Sequence, residues 1–490
     1  MIPLPVTEIA AITGGTLMAG HLVNGSADGA RSAAEAAEAV VTGPVVVDSR
    51  QAVPGALFAA LPGERVDGHD YAAAAARNGA AAILAARPLP EVGAPVIVVA
   101  DVTLALGLLA RAVLDRLPGA TVVGITGSSG KTSTKDLTAQ VVERLGPTIA
   151  PEGSLNNEIG LPLTVLRADE TTRYLILEMA ARGIGHIAYL TRTAPPRIGA
   201  VLNVGRAHAG EFGSIDAVAK AKGELVEALP AGPAGGVAVL NADDPNVAAM
   251  AARTQARVIT TSVDRAGAER SSDADVRASG LTLDDLGRAS FTLHTRAGSA
   301  PVTLTLLGGH HVANALAAAA VAAELGMEVP AIADALTAAT ARSKKRMELH
   351  ERPDGVLVVN DAYNANPDST RAAIEALAHL TGNGRRGLAV LGYMAELGDI
   401  AHQSHEEAGR LAAQAGAAVI VAVGAEAAPV LDGARATDGW PGEAIAVPDP
   451  KAAVAALRNR LRPGDVVLVK ASKSAGLWEV ADGLLAEEHQ

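Results

Sequence analysis

The chain has 490 residues, more than a single hydrophobic core of ordinary size accommodates, so two to four domains of roughly 100–200 residues are expected. Hydrophobic residues make up 49% and charged residues 19%, which excludes a disordered chain, while 2% aromatics implies cores of Ala, Val and Leu and few platforms for stacking bases. A net charge of −12 argues against nucleic acid and anionic membrane surfaces as partners, and the lack of cysteine excludes disulfides, thiolate metal sites and a cysteine nucleophile.

The opening residues, Met1-Ile2-Pro3-Leu4-Pro5-Val6-Thr7-Glu8, lack the basic start and apolar run of a secretory signal, and a cytoplasmic protein is expected. Up to about residue 115, short apolar runs punctuated by Gly and Pro surround Val45-Val46-Val47-Asp48-Ser49-Arg50, and a compact Ala-rich helix starts at Tyr71. After Pro118-Gly119 the pattern changes to βαβ units, with strands over 121–125, 174–177, 198–204 and 237–240. Each later run ends in polar residues: Glu178, then Arg206 and His208, then Asn241, Asp243 and Asp244. Such carboxyl ends are where open α/β sheets bind ligands. The apolar stretch 297–323 is interrupted by Gly308, Gly309, His310, His311 and Asn314 and fails as a membrane span. Beyond Arg342-Ser343-Lys344-Lys345-Arg346, strands over 356–359, 388–391, 419–423 and 466–469 form a second, doubly wound series.

Gly124-Ile125-Thr126-Gly127-Ser128-Ser129-Gly130-Lys131-Thr132 follows the first of these strands and opens a helix with Leu137, Val141, Val142 and Leu145 on its apolar face. This is the context of a phosphate loop. Its glycines let backbone N–H groups curl around phosphate oxygens, the helix N-terminus adds positive potential, Lys131 reaches the terminal phosphates and Thr132 can ligate magnesium. Ile125 stands where the general pattern wants its first glycine, so the loop is a variant, and a strand-to-helix turn rich in small residues is the bland alternative.

Ser214 can cap a helix over 215–229 whose apolar stripe is Val218, Leu225, Val226 and Leu229. Lys222 falls on that stripe, whereas Lys220 points away, with Glu224 and Glu227 spaced to form an exposed ion pair. A buried lysine must be paired, neutral or modified, although a side chain snorkelling from the stripe edge fits the periodicity as well.

Together these residues resemble the Mur ligase family over nearly the whole chain. The central signatures are Gly127-Ser128-Ser129-Gly130-Lys131-Thr132, Leu155-Asn156-Asn157-Glu158-Ile159-Gly160-Leu161-Pro162, Glu178, Asn203 with His208, and Gly309-His310-His311-Val312-Ala313-Asn314. Earlier in the chain stand Asp48-Ser49-Arg50, Pro54-Gly55, Leu57-Phe58 and Asp67-Gly68-His69. Later come 360–369, Asn-Asp-Ala-Tyr-Asn-Ala-Asn-Pro-Asp-Ser, and 391–398, Leu-Gly-Tyr-Met-Ala-Glu-Leu-Gly. No Asp-Asn-Pro-Arg occurs, which separates the chain from the diaminopimelate-adding members.

The resemblance implies an α/β protein of three domains: a small UDP-binding domain (1–115), a central P-loop ATPase domain with a parallel sheet (116–342), and a Rossmann-like doubly wound domain (343–490) taking the incoming dipeptide. It implies an ATP-dependent amide-bond ligase acting on UDP-N-acetylmuramoyl-tripeptide and D-alanyl-D-alanine, inserted in no membrane and monomeric. Two magnesium ions would be held with Thr132, Glu178, His208 and a carbamate on Lys222, and Lys131 would serve catalysis with the last three. ATP would meet Gly127, Ser128, Ser129, Gly130, Lys131, Thr132, Asn314, Arg346 and Asp361. The other substrates would meet Asp48, Ser49, Arg50, Asn156, Asn157, Asn364, Asn366, Lys470 and Ser472.

Departures from the family pattern are His311 for Asn, Tyr393 for Asp, Lys345-Arg346 for Gly-Arg, and Lys470-Ala471-Ser472-Lys473 for Lys-Gly-Ser-Arg. Two rivals make distinct expectations. A folylpolyglutamate-type ligase would lack the Asp-Ser-Arg domain, and a nucleotide-hydrolysing switch would need no second ligand site.

Overall fold

The structure is a computed structural model and describes residues 1–19, 33–63, 66–205, 212–264 and 273–486. Two compact units are present, one built from Met1–Gly124, Gly146–Ala180 and Ile187–Arg197, the other from Ile125–Leu145, Ala181–His186 and Ile198–Gln490.

In the first unit Val45–Val46, Leu57–Ala59, Ala82–Ala85 and Val96–Val98 lie parallel in that order, and Thr16–Met18 adds an antiparallel edge. The inner strands are short apolar runs without polar alternation because both faces are covered. Phe58 and Ile83 are fully buried with Ala72 and Ala75 of the helix Ala72–Arg77. Asp101 caps the helix Val102–Asp115, its carboxylate accepting from the N–H of Leu104 at 3.0 Å. Further along the chain Tyr174–Glu178 pairs in parallel with Thr148–Ile149.

In the second unit Ile198–Val201, Val237–Asn241, Arg257–Val263 and Val276–Leu283 are parallel neighbours, extended by the antiparallel strands Arg288–Thr295 and Gly298–Leu307. The expected strand over 198–204 stops at Val201. Its continuation turns away because Asn203 and Val204 are drawn into other hydrogen bonds, the Val204 N–H donating to Asp244 Oδ2 at 2.7 Å. The helix Lys131–Val142 packs on the helix His311–Glu324, whose buried alanines, from Ala315 to Ala322, let the two backbones approach closely.

The C-terminal sheet runs Glu348–Glu351, Leu357–Asp361, Val466–Lys470, Gly387–Leu391, Val419–Val423 and Glu443–Val447, parallel except at its first strand. Alternate residues enter two separate cores. Val359, Leu468 and Ile420 face one, and Val358, Val467 and Val421 face the other, so the sheet is doubly wound as the alternation of elements predicts. Its register aligns Asp361, Lys470 and Leu391 at the carboxyl edge, on the strands where the order jumps, the position at which such sheets take ligands.

Candidate active site

The strand Thr121–Thr126 delivers the chain into the loop, and Gly130, at φ 79°, turns it into the helix beginning at Lys131. A side chain at Gly130 would be doubly disfavoured. The left-handed backbone favours glycine, and a Cβ there would stand 2.6 Å from Asn314 Oδ1. The loop is braced from behind by Asn203, whose Oδ1 accepts from the N–H groups of Ser128 and Ser129, both at 2.9 Å, while its Nδ2 donates to the Ser129 carbonyl at 3.2 Å. Asn203 is held in turn, since Asn241 Nδ2 donates to the Leu202 carbonyl at 2.9 Å and Asp244 takes Val204. Lys131 Nζ donates to the Gly127 carbonyl at 2.8 Å, and Thr132 is buried in the first helical turn. These groups put Lys131, Thr132 and Asn314 around one glycine turn.

Ser214 caps the helix Ile215–Glu227 as expected, accepting from the Ala217 N–H at 3.1 Å, and Val218, Leu225 and Val226 are buried. Lys222 is buried with them, at 2% exposure, which rules out the snorkelling alternative. Burial, reinforced by the nearby Lys131 ammonium, drives its amine well below the ordinary lysine range. The expected exposed pairing of Lys220 with Glu224 and Glu227 is not what forms. Glu224 is itself buried and accepts from the Gly185 N–H at 2.6 Å, and Glu227 pairs with Arg253 at 2.8 Å. Helical spacing had put both glutamates within reach of Lys220, but each found a tertiary partner.

His208 and Arg206 lie outside the described residues. Glu178 ends its strand 2% exposed, and its Oε1 accepts from Asn156 Nδ2 at 2.6 Å. Asn157 Oδ1 accepts from the N–H of Gly160, the first residue of the helix Gly160–Val165, at 2.8 Å. Asp48 likewise caps the turn Ser49–Gln51, and its carboxyl is lowered to about 2 chiefly by the side-chain hydrogen bond from Arg50, whose Nη2 lies 2.6 Å away. Ser49 is buried and its carbonyl accepts from Asn78 Nδ2 at 2.9 Å, while the Arg50 side chain is open to solvent. At Asp67-Gly68-His69, His69 Nε2 accepts from the Ala86 N–H at 2.9 Å and its Nδ1 faces Asp67 Oδ1 at 2.5 Å, which fixes the tautomer.

At the edge of the C-terminal sheet Lys470 Nζ meets Asp361 Oδ2 at 2.6 Å and donates to the Asn364 carbonyl at 2.9 Å, and Asp361 Oδ1 accepts from the Met347 N–H at 3.1 Å. Asn366 is spent on a capping box with Ser369 that starts the helix Pro367–Thr381. Ser472 is buried, its Oγ accepting from the Ala395 N–H at 2.9 Å. The Asn364 side chain, by contrast, is exposed.

Two features escaped sequence reasoning. The Arg346 guanidinium lies 4.2 Å over the Tyr363 ring, with Lys473 Nζ 5.7 Å from the same ring, and the buried Nε of Arg346 has no hydrogen-bond partner. Lys345, standing where glycine was expected, keeps the positive φ of 63° that glycine would adopt and anchors it with its N–H to Glu348 at 2.8 Å and its ammonium 3.9 Å over Trp478.

Three family models match: the Mur ligase family, catalytic domain over residues 44–113, the Mur ligase middle domain over 125–322, and the Mur ligase, glutamate ligase domain over 345–473. The UDP-N-acetylmuramoyl-tripeptide--D-alanyl-D-alanine ligase of Mycobacterium tuberculosis is 50% identical, with 100% of this chain and 99% of that protein covered. The Escherichia coli enzyme of the same name is 37% identical over 90% of this chain and 93% of its own. Among solved structures, MurF from Acinetobacter baumannii superposes with a TM-score of 0.84 at 30% identity, covering 99% of both chains. MurF from Thermotoga maritima in complex with ADP gives 0.78 at 29% identity, covering 91% of this chain and 98% of that one.

Proposed function

Because the chain belongs to the Mur ligase family, we propose that it joins D-alanyl-D-alanine to UDP-N-acetylmuramoyl-tripeptide, using ATP to activate the tripeptide carboxylate as an acyl phosphate. It is an ATP-dependent amide-bond ligase of peptidoglycan precursor synthesis. The observation that carries the reading is the glycine turn at Gly130, where Lys131, Thr132 and Asn314 converge on a loop braced by Asn203. Family members depend on ATP, and a glycine turn opening a helix with Lys131 and Thr132 in its first turn supports reading this loop as the triphosphate site.

A carboxylate is a poor acyl donor because an oxide is a poor leaving group. Its oxygen therefore attacks the terminal phosphorus of ATP, and ADP departs. The dipeptide amine then adds to the acyl carbon, the tetrahedral adduct expels phosphate, and the amine loses a proton. Lys131 and the N–H groups of the helix start would stabilise charge on the transferring phosphoryl group. Arg346, held flat by Tyr363, and Asp361, held by Lys470, would contact ATP from the C-terminal domain. Asp48, Ser49 and Arg50 would contact the uridine nucleotide, with Asn156 and Asn157 near the tripeptide and Asn364 near the dipeptide. For Asn366, Ser472 and Lys470 the internal bonds favour shaping the site rather than touching the ligand.

The donor set that the family resemblance implies would suit magnesium only if Lys222 is modified. An ammonium at 222 would repel the dication, whereas a carbamate would add a carboxylate, and a buried neutral amine is the form that reacts with carbon dioxide. Thr132, Glu178, His208 and that carbamate would hold two magnesium ions, which when bound neutralise charge on phosphate oxygens. Among the described residues no helix is long and apolar enough to cross a membrane, and with ATP as co-substrate we place the enzyme in the cytoplasm, acting as a monomer of three domains (1–115, 116–342 and 343–490).

A coupled assay of phosphate release tests the reading. Turnover should require the UDP-tripeptide and D-alanyl-D-alanine together. Rapid release with ATP alone would favour the nucleotide switch instead.

A further inference from the structure

We propose that His311 is a positioning residue of the nucleotide site: its Nδ1 accepts a hydrogen bond from Asn314 and thereby holds the Asn314 carboxamide with Oδ1 turned to Gly130 of the phosphate loop. The inference rests on reading Asn314 as part of the nucleotide pocket. Both side chains sit in the first turn of the helix His311–Glu324, three residues apart and therefore on one face. Asn314 Nδ2 lies 3.3 Å from His311 Nδ1, and both residues are buried, at 6% and 3% exposure.

A carboxamide is nearly symmetric in shape, so packing alone does not choose which end faces the loop; a hydrogen-bond partner must. His311 makes that choice. Burial, helped by the His310 ring 4.3 Å away, pushes the His311 imidazole well below the ordinary histidine range. The neutral ring offers a lone pair at Nδ1 to the amide N–H. The other end, Oδ1, then stands 2.6 Å from where a Cβ on Gly130 would be, and only glycine leaves it that room. Without an acceptor at Nδ1 the amide would lose its preferred orientation and its buried N–H would be unsatisfied.

Replacements that move the acceptor test this. Asn places its Oδ1 where His carries Nδ1, Gln places an acceptor one bond farther out, and Leu has none. In the full enzyme, His311→Asn should keep the KM for ATP within about twofold of the parent, while His311→Gln and His311→Leu should raise it roughly tenfold, the scale set by one unsatisfied buried amide. In all three, kcat and the KM values for UDP-tripeptide and dipeptide should hold. Equal damage from Asn and Leu would mean that ring packing, not the acceptor, matters, and overturns the proposal, as does a parental ATP KM for both Gln and Leu. Asn314→Leu is the control. If it leaves the KM for ATP unchanged, the nucleotide reading of Asn314 is what fails, and the proposal falls with it. If it raises KM while His311→Leu does not, the proposal alone fails. Should the Leu variant not fold, Asn against Gln still decides, with titration of a non-hydrolysable ATP analogue as the direct readout.

Discussion

Lys470 and Lys222 are buried to the same 2% exposure, yet their surroundings treat the charge in opposite ways. At the edge of the C-terminal sheet, Lys470 finds Asp361 at 2.6 Å and the Asn364 carbonyl at 2.9 Å, and this pairing pins the strand end. In the helix Ile215–Glu227 the charged neighbour that acts on Lys222, among the described residues, is Lys131, of the same sign. Lys135, buried on the loop helix, behaves like Lys470, paired with Asp136. Burial thus separates a structural lysine, given an anion, from the one proposed above to be reactive, whose amine is pushed toward the neutral form.

The largest effect should come from removing the reactive member. Lys222→Ala should lower turnover on the order of 10³-fold, the several kcal/mol that a correctly held metal supplies to a phosphoryl transition state. Acetate added to the assay should restore part of it, because what is missing is a carboxylate. Restoration by methylamine rather than acetate would show that the amine itself does the work. Removing the structural member should register in folding instead. Lys470→Ala leaves Asp361 buried without its partner, so unfolding in urea should show a loss of about 3–5 kcal/mol. A loss below about 1 kcal/mol would mean that the pair is solvated and the contrast with Lys222 weaker than the burial suggests.

A pH series sharpens the same contrast. Lys222 has a folded-state pKa well below its unfolded value of 10.5, so between those two values the unfolded chain binds a proton that the folded one does not. Its contribution is therefore unfavourable below the unfolded pKa, is worst at the acidic end, and fades as pH rises from the folded pKa toward the unfolded one. Lys222→Met, similar in size and without charge, should be more stable than the parent at pH 7 in buffer free of carbon dioxide and magnesium, and the difference should shrink toward pH 10. A difference constant across that range, followed by thermal unfolding, would assign it to packing alone. The same variant should be inactive, a case of stability given up for function.

Much of this was legible in the sequence because it is local. The parallel strands announce themselves as short apolar runs, the loop as glycines before Lys131-Thr132, and the buried face of Lys222 as a helical period. What was not legible depends on partners distant in the chain. Nothing near Asn203 says that it will brace Ser128 and Ser129, 75 and 74 residues away, or that the strand before it must end at Val201 to do so. The polar residues of the motifs divide in the same way. Asn157, Asn366 and Ser472 sit in sequences that suggest ligand contacts, and the folded chain uses their side chains on its own backbone. Conversely, Lys345 departs from an expected glycine without releasing the backbone, because Glu348 and Trp478 hold it in the conformation glycine would take.

The smallest expected effect is the control on which the comparison of lysines depends. Lys220 is two residues from Lys222 on the same helix but on its exposed side. An intrahelical pair with Glu224 would be worth about 0.3–0.5 kcal/mol, but Glu224 is committed to the Gly185 N–H and Glu227 to Arg253. What touches the Lys220 residue is Arg253, whose Nη2 donates to its backbone carbonyl at 2.8 Å, a bond that survives any side-chain change. Lys220→Ala should therefore leave turnover at the parental level and stability within about 0.5 kcal/mol, with alanine's helix propensity offsetting any small loss. Parental kinetics in this variant beside a near-dead Lys222→Ala would tie the effect to the buried position rather than to positive charge on the helix. If both variants lost activity equally, the helix as a whole would be acting through its charge, and the separate role given to Lys222 would be lost.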